Sequence, residues 1–164
     1  MFDVHCLKWN FKQKEDKILI FGTGGIQWQH MRYMGIDYGR VRMGVARSDE
    51  EGNMAFPDRV LSGKDERAAI EELRTIASET GVGAMVIGLP LAMDGQDTKT
   101  SRRARIFAQR VGEALHLPVY LENEMFTSRM ADHQGVAKDR IDAASAAIIL
   151  QSYLDKQRLA ARRE

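Results

Sequence analysis

From residue 33 onward, short apolar segments are separated by polar or glycine-containing turns, a pattern typical of a folded α/β chain. Three strand-like segments come first, and only short turns lie between them. Strands joined in this way pair with their sequence neighbours, so the pattern predicts an antiparallel meander. The predicted strands cover residues 33–37, 43–48 and 55–61.

Helical and strand patterns alternate through the rest of the chain. Apolar residues at i, i+3 and i+4 predict helices at 65–80 and 98–115, and Gly81 is a stop signal for the first. A short, wholly apolar strand is predicted at 84–88 and a fifth strand at 118–121. Two helical pieces are predicted after them, at 127–133 and 139–154. The expected fold class is α/β: a three-layer domain with a mixed five-stranded sheet and helices on both faces.

The first thirty residues differ from the rest and show no sustained period. They contain both tryptophans and the single cysteine, and Met31 directly precedes the first clear strand. We therefore predict an N-terminal extension at 1–30, one domain at 31–155 and a basic C-terminal tail at 156–164. An extra strand near residues 18–21, packed on the domain, is the alternative for the extension.

The length and composition of the chain limit the kinds of protein it can be. A chain of 164 residues suits one domain with its own core. One cysteine excludes an internal disulfide, and the four histidines lack metal-ligand spacing. No apolar run has the length of a membrane span, so we expect a cytoplasmic protein without a membrane partner. The net charge of +1 does not favour nucleic acid over a small molecule.

Acidic residues fall where predicted strands end. Asp37 ends the first strand, and Glu122 and Glu124 follow the fifth. Carboxyl ends of parallel strands meet at one sheet edge, so these side chains should converge. Asp142 joins them from an apolar helical stripe. Clustered carboxylates repel one another unless a cation lies between them, and oxygen ligands suit Mg²⁺ or Mn²⁺. Spacing alone does not choose between Glu122 and Glu124.

Each of these acids also has an ordinary structural interpretation. Asp37 could bond the amides of a turn, and Asp142 could stabilise the first turn of a helix. Glu122 and Glu124 could be solvated residues at a strand end. The arginines near the predicted site suit phosphate, although a solvated helix face explains those at 102–110 equally well.

Four segments resemble the YqgF/RuvX family of Holliday-junction-resolvase-like nucleases. They are 35–46 (GIDYGRVRMGVA), 86–95 (VIGLPLAMDG), 101–108 (SRRARIFA) and 142–150 (DAASAAIIL). The resemblance covers residues 32 to about 153. It implies an RNase H-like fold and a metal-dependent endonuclease that cuts branched DNA or processes the 5′ end of pre-16S ribosomal RNA. The implied partner is nucleic acid, and the chain would act as a monomer or homodimer.

The resemblance also implies which residues carry the chemistry. The catalytic residues, which would also bind Mg²⁺ or Mn²⁺, are Asp37, Glu124 and Asp142. Glu124 is preferred to Glu122 because the family's D-E-R motif falls on segment 123–128 (NEMFTS). Four of the arginines in the matching segments are the expected nucleic-acid-binding residues: Arg40, Arg42, Arg103 and Arg105.

Two positions depart from the family pattern. Asn123 replaces the aspartate of the D-E-R motif, and Met125 replaces its arginine. The changes leave open a non-catalytic nucleic-acid-binding module on the same fold, although all three acids are retained. An ATP-handling protein is the other alternative, because the glycines after Asp37 resemble a phosphate loop. That architecture needs two such domains, and this chain has room for one.

Overall fold

The computed structural model describes residues 31–92, 94–123 and 138–162, with residues 138–140 described by their backbone alone. The predicted extension at 1–30, the predicted helix at 127–133 and Glu124 lie outside the described residues. Five strands and three helices make up this part of the chain. They are β1 (Arg32–Asp37), β2 (Arg42–Ser48), β3 (Ala55–Ser62), α1 (Glu66–Thr80), β4 (Val82–Leu89), α2 (Lys99–Leu115), β5 (Val119–Asn123) and α3 (Lys138–Ala161).

The strands form one mixed sheet in the order β3-β2-β1-β4-β5. The pairs β1–β2 and β2–β3 are antiparallel, as the short turns between them predict. The pairs β1–β4 and β4–β5 are parallel, with α1 and α2 in the connections between strands. The strands β1, β4 and β5 consequently end at one edge of the sheet, which confirms the predicted convergence of strand ends.

Helices α1 and α2 cover one face of the sheet. Leu73 of α1 and Phe107 of α2 are fully buried there, in one cluster with Met34, Ile36 and Ile87. The ends of α1 follow the sequence signals: the Asp65 side chain accepts a hydrogen bond from the Ala68 amide. Such a cap contributes about 1 kcal/mol to helix stability. Gly81 ends the helix in the left-handed conformation.

Helix α3 covers the opposite face with a second apolar cluster. Ala146, Ile149 and Leu150 pack there against Ala46 and Val86 of the sheet. The predicted three layers are therefore present. The helix does not end near residue 154 but continues to Ala161, and β5 extends past residue 121 to Asn123. Both extensions change the surroundings of Glu122, as shown below.

Candidate active site

Asp37 is the last residue of β1 and faces α3. A Cβ added at Gly35 would lie 2.6 Å from the Leu150 Cβ, so Gly35 faces α3, and Asp37, two residues later, shares that face. Burial of the carboxyl group and the nearby negative charge of Asp142 together raise the pKa of Asp37 to about 6. The charged form of Asp37 is therefore poorly compensated at neutral pH.

Asp142 reaches the same edge from α3. The backbone of the helix touches β2 at Gly44, where an added Cβ would lie 1.9 Å from the Asp142 carbonyl oxygen. Gly44 in turn pairs with Asp37 across the β1–β2 ladder. Because α3 begins at Lys138, Asp142 lies beyond the first turn of the helix. A role in stabilising that first turn does not account for its position.

Arg42, the first residue of β2, is bonded directly to the second acid. Its Nε donates a hydrogen bond to Asp142 Oδ2 over 2.8 Å, and about 30% of each side chain is exposed. The pair borders an open cavity of about 360 Å³, which Gly39, Arg40 and Val41 also line. Arg40 is exposed to solvent. Two of the four predicted phosphate-binding arginines thus lie beside the acids.

The other two arginines are on α2, in the opposite layer. Tyr38 follows Asp37 and stacks on Phe107 of α2 with ring centroids 4.8 Å apart. Burial and the charge of Glu66 raise the pKa of the Tyr38 hydroxyl, and the positive charge of Arg103 opposes that rise, so Arg103 lies near the same edge. Arg105 donates to Asp97 Oδ1 from Nη2 over 3.3 Å. Arg103 is exposed, whereas Arg105 is held by this ion pair.

Glu122 differs from the sequence-based interpretation. It lies inside β5, is only 5% exposed, and accepts hydrogen bonds from Ser152 Oγ at 2.8 Å and from Lys156 Nζ. The alternative of a solvated strand end is therefore wrong for Glu122. Its carboxylate is neutralised by Lys156 on α3 and is engaged away from Arg42 and Asp142. Ser152 and Lys156 are four residues apart and therefore share one face of α3. The sequence alone does not place that face against Glu122.

The two aspartates are the acids that the structure brings together. Within residues 31–92, 94–123 and 138–162, no group of three or more histidine, cysteine, aspartate or glutamate side chains is arranged as a metal site. Asp37 and Asp142 offer carboxylate oxygens, the donors that Mg²⁺ and Mn²⁺ prefer. Burial of the carboxyl group, and then the negative charge of Asp142, raise the pKa of Asp37, and a divalent cation bound at the two acids would offset both effects. The donor set and its charge fit such an ion.

The fold is similar to that of a protein of known structure. The structure of RuvC from T. thermophilus, in complex with Holliday junction substrate, matches with a TM-score of 0.50 and 12% identity. The match covers 78% of this chain and 96% of RuvC. With its mixed sheet and helices on both faces, the domain has the RuvC-like, RNase H-like fold that the sequence motifs predict.

Residues 31–156 match the family model described as "RuvX: Holliday junction resolvase". A protein of Nitratidesulfovibrio vulgaris named "Putative pre-16S rRNA nuclease" is 42% identical over 133 residues, covering 76% of this chain and 94% of that relative. A relative with the same name from Anaeromyxobacter sp. is 37% identical, with 76% and 97% covered. The chain belongs to the RuvX family. It is a nuclease, that is, a hydrolase of phosphodiester bonds.

None of the described helices is both long enough and apolar enough to cross a bilayer.

Proposed function

We propose that this chain is a divalent-cation-dependent endonuclease that processes the 5′ end of the 16S ribosomal RNA precursor during ribosome biogenesis in the cytoplasm. The observation that carries the proposal is the pairing of two acids at one sheet edge: Asp37 is largely buried and lies within the electrostatic field of Asp142. The names of the relatives support the RNA substrate. The family description supports branched DNA as the second candidate.

The proposed site uses Asp37, Asp142 and Glu124 to hold Mg²⁺ or Mn²⁺. A bound divalent cation supplies a more acidic water and neutralises charge on the phosphate that is attacked. Hydrolysis forms a bond from a water oxygen to phosphorus and breaks one phosphorus–ester oxygen bond, and the leaving oxygen takes a proton. Asp37 and Asp142 orient the reacting groups, and the partial burial of Asp37 keeps bulk water away from its carboxylate.

The proposed nucleic-acid-binding residues are Arg40, Arg42, Arg103 and Arg105. Arg40 and Arg42 line the cavity together with Asp142, so a phosphodiester in it would lie close to that acid. Guanidinium groups bind phosphate through two parallel hydrogen bonds, which position a strand without reading its sequence. Arg103 is exposed on α2 and would contact the strand farther from the acids. The ion pair of Arg105 with Asp97 makes it the weakest contributor of the four.

A cleavage assay with two substrates tests the proposal. Labelled pre-16S leader RNA and a synthetic four-way DNA junction are each incubated with the chain in Mg²⁺, Mn²⁺ or EDTA. We expect cation-dependent cutting of the RNA that Asp37→Asn and Asp142→Asn both abolish. Asp58→Asn is the matched control, because Asp58 is an acid of β3 paired with Arg47 and Arg59.

The remaining outcomes each identify another function. Cutting of the junction alone would replace the RNA substrate with branched DNA, and a symmetric cut would require a homodimer rather than a monomer. Binding of either substrate without cutting in any cation would contradict the endonuclease and favour a non-catalytic nucleic-acid-binding module.

A further inference from the structure

Asp142 already has a cationic partner in this structure. The Arg42 guanidinium donates to Asp142 Oδ2 over 2.8 Å, so it occupies a carboxylate oxygen that a divalent cation held by Asp142 would also use. Both side chains are about 30% exposed, and the pair borders the open cavity. The ion pair is therefore reached from the cavity on one side, while the Arg42 Nη2 atom is buried.

The charges at this edge favour an exchange of partners. Asp37 and Asp142 together carry two negative charges when ionised, and Arg42 supplies one positive charge. A divalent cation placed between the acids would compensate both of them and repel the neighbouring guanidinium. A phosphodiester in the cavity would offer that guanidinium a new anionic partner with two oxygens.

The backbone around Arg42 is fixed, so the exchange needs only side-chain rotation. The Gly63 amide donates to the Val41 carbonyl oxygen over 2.9 Å. A Cβ added at Gly63 would lie 2.1 Å from the Gly39 carbonyl oxygen, so the two turns are in direct backbone contact. The β1–β2 turn is therefore held in place while the long Arg42 side chain retains its own rotamers.

We propose that Arg42 is an exchangeable counter-ion: it holds Asp142 in the cation-free protein, releases it to a divalent cation, and then binds the phosphodiester of the substrate. The inference rests on the proposed function, because it assigns the same two acids to the cation. It adds that cation loading and phosphate binding are coupled through one side chain. Arg42 thus competes with the cation and assists the nucleic acid.

Cation affinity is the first test, and it needs no catalysis. Mn²⁺ binding to the full chain is measured by electron paramagnetic resonance of free Mn²⁺. We expect Arg42→Met to bind Mn²⁺ about fivefold more tightly, the size expected of a partly exposed ion pair. Arg40→Met is the matched control, since it removes the same charge from the same turn without removing the bond to Asp142. We expect it to change the affinity less than about twofold, because exposed charges are screened.

Movement of Arg42 is observed directly by nitrogen-15 NMR of arginine Nε–H groups. Arg42→Lys identifies the Arg42 signal by its loss. We expect saturating Mg²⁺ to shift this signal, as the bond to Asp142 is released. A signal that stays unchanged at saturating Mg²⁺ would overturn the inference, because the guanidinium and the cation would then share the carboxylate.

The third measurement is binding of a short labelled single-stranded RNA in Ca²⁺. Arg42→Met should bind this RNA several-fold more weakly while binding Mn²⁺ more tightly, a pair of opposite effects that simple misfolding does not produce. Unchanged Mn²⁺ and RNA affinities in Arg42→Met would overturn the inference. If Asp37→Asn binds Mn²⁺ as wild type does, the proposed cation site itself fails, which distinguishes the two hypotheses.

Discussion

Gly44 of β2 and Asp142 of α3 are in backbone contact: a Cβ on Gly44 would lie 1.9 Å from the Asp142 carbonyl oxygen. Gly44 is also the ladder partner of Asp37. One position without a side chain therefore lets the helix carrying one acid approach the strand pair carrying the other. The separation of the two carboxylates depends on this close approach.

We expect Gly44→Ala to destabilise the protein and to weaken the site. The added methyl group has no space, and forcing it into a packed contact costs about 3 kcal/mol or more of the free energy of unfolding. If α3 shifts to relieve the clash, Asp142 moves away from Asp37 and Mn²⁺ affinity falls. Urea denaturation and Mn²⁺ titration measure the two effects.

Gly81→Ala is the control for this change. Gly81 has a φ of 68° at the end of α1, and an added Cβ there meets nothing within 4 Å. The left-handed backbone alone costs alanine about 1–2 kcal/mol, so we expect a smaller loss of stability and an unchanged Mn²⁺ affinity. A Gly44→Ala protein as stable as wild type would contradict the close contact.

Asp37 makes the cation-free protein less stable as the pH rises. The pKa of Asp37 is raised by burial and by Asp142 to about 6, above its ordinary value of 3.8. Between these two pH values the folded state keeps a proton that the unfolded state has released. The stability associated with this proton is therefore complete below about pH 4 and is lost by about pH 6.

The corresponding experiment compares wild type with Asp37→Asn in EDTA. At pH 8 the asparagine variant should be more stable by about 3 kcal/mol, because it carries no desolvated charge. The difference should disappear near pH 4, and saturating Mg²⁺ should reverse its sign at pH 8. Urea denaturation of both proteins across this pH range measures the difference in stability. An Asp37→Asn protein that is less stable than wild type at every pH would contradict the raised pKa of Asp37.

Glu122 and Lys156 tie β5 to α3. Lys156→Met removes the cation from a buried carboxylate and leaves the Ser152 hydroxyl as its partner among the described residues, which should cost about 1–3 kcal/mol of the free energy of unfolding. Arg158→Met removes a charge from the same helix end, but from an ion pair with Asp155 in which both side chains are about half exposed. That variant should lose less than about 0.5 kcal/mol. Thermal denaturation of both variants checks the difference, and equal losses would contradict a specific role for Glu122.

Arg103 and Arg105 should contribute unequally to nucleic-acid binding. Arg103 is exposed, whereas Arg105 is paired with Asp97. If Arg103 contacts a phosphate, Arg103→Ala should reduce the slope of log affinity against log salt by about 1, and Arg105→Ala should change it less. Fluorescence anisotropy with RNA at several salt concentrations in Ca²⁺ measures both slopes. Equal slopes for Arg103→Ala and wild type would remove Arg103 from the interface.

Elements that depend on local contacts can be predicted from the pattern of apolar and polar residues alone. The α1 stripe at Ala69, Leu73, Ile76 and Ala77 is buried as its spacing predicts, and Gly81 ends the helix. Asp37 and Asp142 stand out in the sequence because the first is an acid at the end of an apolar strand and the second an acid on an apolar helical stripe. The exact ends of β5 and α3 cannot be predicted in the same way, because the residues there are polar and give no apolar period to follow.

Periodicity and side-chain chemistry are local properties, so the α/β class, the apolar faces and Asp37 and Asp142 as candidate site residues can be predicted from the sequence. Which charges meet depends on the tertiary structure. Arg42 and Asp142 are separated by 100 positions in the chain, and Lys156 reaches Glu122 from a different layer. Such pairings depend on how α3 crosses the sheet, and that crossing is set by close packing at Gly35 and Gly44. Packing of this kind arises only when the helix and the sheet come together, so it cannot be inferred from any one segment of the sequence.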